Sequence, residues 1–212
     1  MSDSPMNPAP TAHARVILLS GPSGSGKSSL AERSGLPVLQ LDDFYKDGDD
    51  PTLPRLPDGA VDWDSPLAWH RDQAVAAIRA LYEHGRTEVP VYSIPDNGRV
   101  STRPLDLGGA TAFIAEGIFA AEIVAECATE GLLGDALCLR NGALTTAWRR
   151  LRRDVREGRK SLPVLVRRGF RLMRAERAIV GRQVELGSYP CAGAEAERRV
   201  RAAAGPRELS AV

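Results

Sequence analysis

The stretch Gly21-Pro-Ser-Gly-Ser-Gly-Lys27-Ser28 decides the fold, because it joins a short apolar run, Arg15 to Ser20, to a helix-forming stretch that begins at Ser28. It satisfies every defined position of G-x-x-x-x-G-K-[ST], in the strand-to-helix setting that the pattern requires. Glycines there let backbone N–H groups turn inward around phosphate oxygens, and the following helix N-terminus adds a favourable dipole. The loop residues Gly21, Ser23, Gly24, Ser25, Gly26, Lys27, Ser28 and Ser29 are therefore read as a cradle for ATP. Lys27 would reach the β- and γ-phosphates, and the Ser28 hydroxyl would ligate Mg²⁺.

Working outward, Pro37 to Leu41 reads as a second short strand with Asp42-Asp43 at its end. Lys46 to Asp62 is rich in Asp, Pro and Gly and too long for a tight turn, which marks a functional loop. A helix is expected from Asp64, with Asp64 or Ser65 as cap, Pro66 in its first turn and Gly85 as its terminator. Leu67, Val75, Ile78, Leu81 and Tyr82 would form its apolar stripe, with Trp69 in the core and His70 and His84 on its surface. Glu88 to Ile94 alternates as an edge strand, given Pro90. Ala112 to Ala115 makes a third core strand ending in Glu116-Gly117, Ile118 to Glu130 a helix, and Asp135 to Leu139 a fourth core strand. Leu144 to Glu157 and Leu165 to Val180 read as arginine-rich helices separated by Gly158 and Pro163. Strands alternating with helices predict an α/β fold, the P-loop NTPase three-layer arrangement of a parallel sheet covered on both faces. One domain is expected over 15–212, with an arginine-rich helical lid around 143–165, after a disordered leader over 1–14 that includes His13.

Composition narrows the classes further. With 43% hydrophobic and 26% charged residues in 212, collagen, global disorder and a disulfide miniprotein are excluded. Cys127, Cys138 and Cys191 are odd in number and lack metal-like spacing, as expected of buried free thiols in a reducing compartment. No apolar run approaches the ~20 residues of a membrane helix, and the first residues do not read as a signal peptide, so a cytoplasmic protein is expected. Charge is lopsided: eight acids and two bases between Leu39 and Asp64, against fourteen bases and three acids between Arg140 and Arg182. The acidic part suits metal ions and hydroxyls, and the basic part suits phosphates.

Asp42-Asp43 lies where an open α/β sheet presents groups to ligand. A carboxylate there can take an acceptor's proton or orient its hydroxyl, and either member of the pair can be the base. Glu116, at the end of its strand, is placed to hold Mg²⁺ through water, with Asp42 nearby as a further metal contact. Arg149 and Arg153 are spaced i, i+4 and share one helix face. Closing that face over the loop would neutralise charge on the transferred group and exclude water.

Together with the phosphate loop, Leu41-Asp-Asp-Phe-Tyr-Lys46, Trp63-Asp-Ser-Pro66, Pro90-Val-Tyr92, Ile114-Ala-Glu-Gly-Ile118 and Arg149-Arg150 through Arg153-Asp154 appear in the order of the uridine kinase family, which the chain resembles over roughly residues 15 to 160. The resemblance implies ATP-dependent phosphorylation of a nucleoside 5′-hydroxyl, with Asp42 as the catalytic carboxylate and Asp64 on the ribose hydroxyls. Tyr45 and Tyr92 would line the nucleoside pocket, a planar base being bound by aromatic faces. After Tyr92 the family continues with an Asp and later a His that reads the pyrimidine. Here the segment is Ser93-Ile-Pro-Asp-Asn97-Gly-Arg99, which leaves Asn97 near the His position, Arg99 beside it and the base preference open. The rival readings are a kinase of another sugar, sugar phosphate or pantothenate-like alcohol, and a nucleotide-dependent nucleic-acid-binding protein. The basic segment interleaves only Trp148 and Phe170, a poor stacking platform that argues against nucleic acid. A membrane partner is not expected, and self-association is left open.

Overall fold

β1 (Arg15–Ser20) buries every side chain from Val16 to Ser20, the pattern of a strand covered on both faces. The computed structural model describes residues 13–140 and 177–205. β1 leads through the glycine loop into α1 (Lys27–Ser34), which ends on the left-handed Gly35. β2 (Val38–Gln40) follows, and Leu41–Phe44 then forms a 3₁₀ turn. The expected second strand is shorter than its apolar run: Leu41 and Phe44 turn into the core at 2% exposure each, so Asp42 and Asp43 stand on the outside of the turn.

The helix expected from Asp64 is broken. Ser65 caps a 3₁₀ turn, Pro66–Ala68, by accepting a hydrogen bond from the Leu67 N–H. At Trp69 the chain becomes extended and bridges Tyr45, and α2 (Arg71–His84) begins only after His70. Ser65 and Pro66 are sound start signals, but burying the Trp69 ring at 3% exposure against Phe119 requires the chain to leave the helical path. Leu67, expected in the apolar stripe, is 67% exposed, whereas Val75, Ile78 and Leu81 pack into the core.

β3 (Arg86–Ser93) pairs antiparallel with β4 (Gly98–Asp106) as a separate two-stranded sheet. An all-parallel reading did not anticipate this hairpin. β5 (Ala112–Glu116) is buried throughout, and the expected helix after it is a 3₁₀ turn, Ala120–Ile123, running into α3 (Val124–Thr129). β6 (Leu133–Leu139) follows. Residues 177–185 are helical (α4), and β7 (Tyr189–Cys191) and α5 (Gly193–Ala204) close the described chain.

The main sheet runs β2-β5-β1-β6-β7, every neighbour parallel, with β1 central. Side chains alternate between its faces. Val16 and Leu18 of β1 meet α2 through Val75, Ile78 and Leu81, while Ile17 and Leu19 meet α1 and α5 through Leu30, Ala31, Ala196 and Val200. This is the three-layer α/β arrangement the sequence predicts. Ala14, at the end of the expected leader, is 4% exposed, and the His13 ring stacks on Tyr82 at 4.6 Å. All three cysteines are buried and free. No described helix is long and apolar enough to cross a membrane. Residues 1–12, the arginine-rich helix 144–157, most of that at 165–180, and the lid around 143–165 with Arg149 and Arg153 lie outside the described residues.

Candidate active site

The phosphate loop sits at the carboxyl end of β1, in the middle of the sheet. Gly21, Gly24 and Gly26 have φ of 142°, 79° and 94°, values that L side chains rarely adopt. A Cβ on Gly21 would also stand 2.5 Å from the Leu139 carbonyl oxygen, so β6 and the loop can approach only through glycine. Lys27 folds back and donates from Nζ to the Gly21 carbonyl at 2.9 Å. Ser28 Oγ donates to Glu116 Oε1 at 2.7 Å, which joins the start of α1 to the end of β5. Glu116 itself is 5% exposed.

A hydroxyl beside a carboxylate is an oxygen-only donor set, the kind that suits Mg²⁺. Among the described residues no three His, Cys, Asp or Glu side chains gather into a metal cage. Mg²⁺ fits this sparse site because it is usually held by one or two carboxylates with phosphate oxygens and waters supplying the rest.

Asp42 and Asp43 are adjacent in sequence but differently engaged. The Asp42 carboxylate opens onto the cleft yet is surrounded by enough protein that desolvation raises its pKa above the ordinary carboxylate value. Lys27 opposes the rise, Glu116 adds to it, and the Ile118 N–H opposes it. Asp43 instead points to the hairpin: its Oδ1 accepts the Tyr92 backbone N–H at 3.2 Å and its Oδ2 lies 4.0 Å from Arg103 Nη2. Thus Asp42 faces the phosphate loop, and Asp43 fastens the hairpin.

An aromatic cluster flanks this cleft. The Tyr45 ring meets Trp63, Tyr92 and Phe119 at centroid distances of 5.8, 6.1 and 5.7 Å, and its hydroxyl donates to the Trp63 carbonyl at 3.2 Å. Burial, with the charges of Asp42 and Asp64 nearby, pushes the Tyr45 phenol pKa upward, so it stays neutral. Asp64 is exposed at the edge of the cluster.

Asn97 occupies the hairpin turn at φ 53°. Its Oδ1 accepts the Tyr92 hydroxyl at 3.2 Å, and its amide lies so close to Gly48 that a Cβ there would meet Nδ2 at 1.7 Å. Arg99 is tied to α2 and to the loop: its Nη1 donates to Gln73 Oε1 of α2 at 2.6 Å, and its backbone N–H donates to Asp47 Oδ1 at 2.7 Å. A groove of about 640 Å³ between α2 and the hairpin is lined by Arg99, Gln73, Phe44 and Thr102, and no phosphate-loop residue borders it. The structure therefore brings Lys27, Ser28, Glu116 and Asp42 together and sets Tyr45 and Tyr92 beside them, while the Arg99 side chain is held by Gln73 of α2.

Sequence reasoning passed over Asp47, Gly117 and Phe119. Gly117 is legible in hindsight from the Glu-Gly pair at a strand end. A Cβ on it would stand 2.8 Å from Leu41 Cβ and 2.9 Å from Asp42 Oδ1, so the Asp42 turn rests directly on its bare backbone.

A glycine phosphate loop at the end of the central strand of a parallel sheet, with a lysine, a hydroxyl and two strand-end carboxylates around it, is the phosphate-binding arrangement of the P-loop fold. Phosphoribulokinase from Rhodobacter spheroides shares the fold, with a TM-score of 0.52 and 14% identity, across 85% of this chain and 70% of that one. No family model matches the chain. In sequence it is similar to the uridine kinase of Schizosaccharomyces pombe, 32% identical across 77% of this chain and 37% of that protein. It is also similar to the uridine kinase of Lactiplantibacillus plantarum, 27% identical across 71% of this chain and 73% of that protein. The chain spans little more than a third of the length of the first of these relatives. The chain thus resembles uridine kinases in sequence over about three quarters of its length and shares its fold with phosphoribulokinase.

Proposed function

We propose that the chain is an ATP-dependent small-molecule kinase that transfers the γ-phosphoryl group of MgATP to the 5′-hydroxyl of a nucleoside. The observation that carries this reading is the division of labour at the end of β2: Asp42 faces Lys27 and Glu116, while its neighbour Asp43 is spent on the hairpin. Asp42 accepts the 5′-hydroxyl proton as the oxygen bonds to the γ-phosphorus, and the bond from that phosphorus to the β–γ bridging oxygen breaks to release ADP. Lys27 exchanges its loop carbonyl for the γ-phosphate and follows it toward the transition state. Mg²⁺ would neutralise phosphate charge, held by Ser28 Oγ and, through water, by Glu116, with Asp42 near it.

Tyr45 and Tyr92 take the base on their faces, and Asp64 accepts hydrogen bonds from the ribose diol. Asn97 acts on the base beside Tyr92, whose hydroxyl it already holds. Arg149 and Arg153 are assigned to the transferred group on sequence grounds alone. A cytoplasmic location and a small alcohol as partner, rather than nucleic acid, belong to the same proposal.

ADP release measured across uridine, cytidine, purine nucleosides, ribose, sugar phosphates and pantothenate tests it. Turnover is expected on a nucleoside, and Lys27→Ala should lower kcat/KM by about 10²-fold or more. Turnover confined to a non-nucleoside alcohol, or parental kcat/KM in Lys27→Ala, overturns the reading.

A further inference from the structure

Gln183 lies in α4 at 4% exposure, and both ends of its amide are engaged. Nε2 donates to the Ile118 carbonyl at 3.1 Å, and Oε1 accepts from the Cys138 thiol at 3.2 Å. The amide offers a donor to one and an acceptor to the other, which accounts for a buried glutamine where an apolar residue would otherwise serve. The two groups it joins lie on different elements, one in the core strand β6 and one in the turn after β5. Cys138 pairs in register with Ser20, the last residue before the phosphate loop. Ile118 closes the Glu116-Gly117-Ile118 turn, whose Gly117 lies against Leu41 and the Asp42 carboxylate and whose Ile118 N–H faces that carboxylate.

We propose that Gln183 is a positioning residue for phosphoryl transfer: by holding the Ile118 carbonyl it fixes the acidic turn on which Asp42 rests. This rests on the reading of Asp42 as the proton acceptor. Tight packing transmits the constraint, since a turn with no spare room against Leu41 cannot shift without moving Asp42. The segment carrying Gln183 is held independently of it. Arg182 pairs with Glu122 at 2.9 Å, Ser20 Oγ donates to Ser188 Oγ at 3.3 Å, and Gly187 lies against Val124. Truncating the Gln183 amide therefore frees the turn without undocking the helix.

The test compares Gln183→Met, which keeps length and apolar bulk but cannot donate, with Cys138→Ala, which removes only the other partner of the amide. Kinetics are read on the nucleoside that the parent phosphorylates. Gln183→Met should lower kcat by roughly 10-fold with the KM for ATP within about two-fold, while Cys138→Ala stays near parental kcat. In the Asp42→Asn background the Gln183→Met change should cost little further, because the group it positions is gone. Amide hydrogen exchange over 115–119, which needs no substrate, should speed up in Gln183→Met. Parental kcat, a full additive loss in the Asp42→Asn background, or unchanged exchange over 115–119 overturns the proposal. Absence of nucleoside phosphorylation by the parent overturns the function instead, and the exchange arm still decides whether Gln183 orders the turn.

Discussion

Replacing Gly117 by alanine probes the contact on which the site depends. Gly117 is buried and its φ lies outside the left-handed region, so the cost of a Cβ is steric rather than conformational. The new methyl meets Leu41 Cβ at 2.8 Å and Asp42 Oδ1 at 2.9 Å. The carboxylate can rotate, but Leu41 Cβ is bonded to the backbone of a residue only 2% exposed and cannot swing aside. Restoring ordinary contact at about 3.4 Å requires a displacement of roughly 0.6 Å in the turn that carries Asp42. Overpacking of this kind costs about 1–3 kcal/mol. At roughly 2–4 °C per kcal/mol for a domain of this size, Tm should fall by about 2–12 °C. Because a misplacement near 1 Å costs about 10²-fold, kcat should fall on the order of 10-fold even in protein that remains folded. Differential scanning calorimetry and an ADP-coupled assay at saturating ATP measure the two effects. Gly48→Ala supplies the contrast: its closest contacts, at 1.7 and 2.6 Å, are with the exposed Asn97 side-chain amide, which can swing away, and the Asn97 backbone oxygen stands farther off at 3.2 Å, so its Tm should move less. Parental Tm and kcat in Gly117→Ala would refute the packing argument.

The different engagements of the paired aspartates predict different losses. Asp42→Asn should lower kcat by about 10²- to 10⁴-fold with ATP affinity little changed, whereas Asp43→Asn should cost stability through the hairpin and reduce kcat less. Steady-state kinetics and melting curves separate them, and a larger kcat loss in Asp43→Asn would reverse the assignment. The thiols give a pH prediction. Burial pushes Cys127 up to about 12 and Cys191 to about 11 from an ordinary 9.0, so all three cysteines should resist a disulfide reagent at pH 8 until the protein unfolds. The unfolded chain loses its thiol protons first, so stability should be level in this respect below about pH 9 and fall between pH 9 and 12. Rapid labelling of native protein at pH 8 would contradict the burial.

The phosphate loop was legible because its glycines answer a local demand, left-handed backbone at Gly24 and Gly26, that few other residues meet. Strands β1 and β5 were legible because each is a continuous apolar run covered on both faces. The break in the helix after Pro66 was not, since it comes from Trp69 packing on Phe119, fifty residues away in sequence. The hairpin carried an unused signal: Pro95-Asp-Asn97 before Gly98 is turn chemistry between two extended runs, and Asn97 closes the four-residue turn at a positive φ. β7 has three residues and gains its place only by pairing with β6, so no periodicity announces it. Of the candidate site, the sequence pointed to the Asp42-Asp43 pair without separating its members, because only the fold shows that Asp43 accepts the Tyr92 N–H. Gln183 stood in a helical stretch as one polar residue among many, and its role depends on Ile118 and Cys138, which the fold brings to it from elsewhere.

Phosphoryl transfer to a nucleoside at the cleft between Lys27 and Asp42 is the reaction proposed for this chain. The most direct measurement incubates the chain with γ-labelled ATP, Mg²⁺ and uridine or cytidine and identifies the labelled product by ³¹P NMR. The account predicts a nucleoside 5′-monophosphate formed in step with ADP by the parent and lost in Asp42→Asn. Label released only as inorganic phosphate, or carried to a 2′- or 3′-hydroxyl, would contradict it.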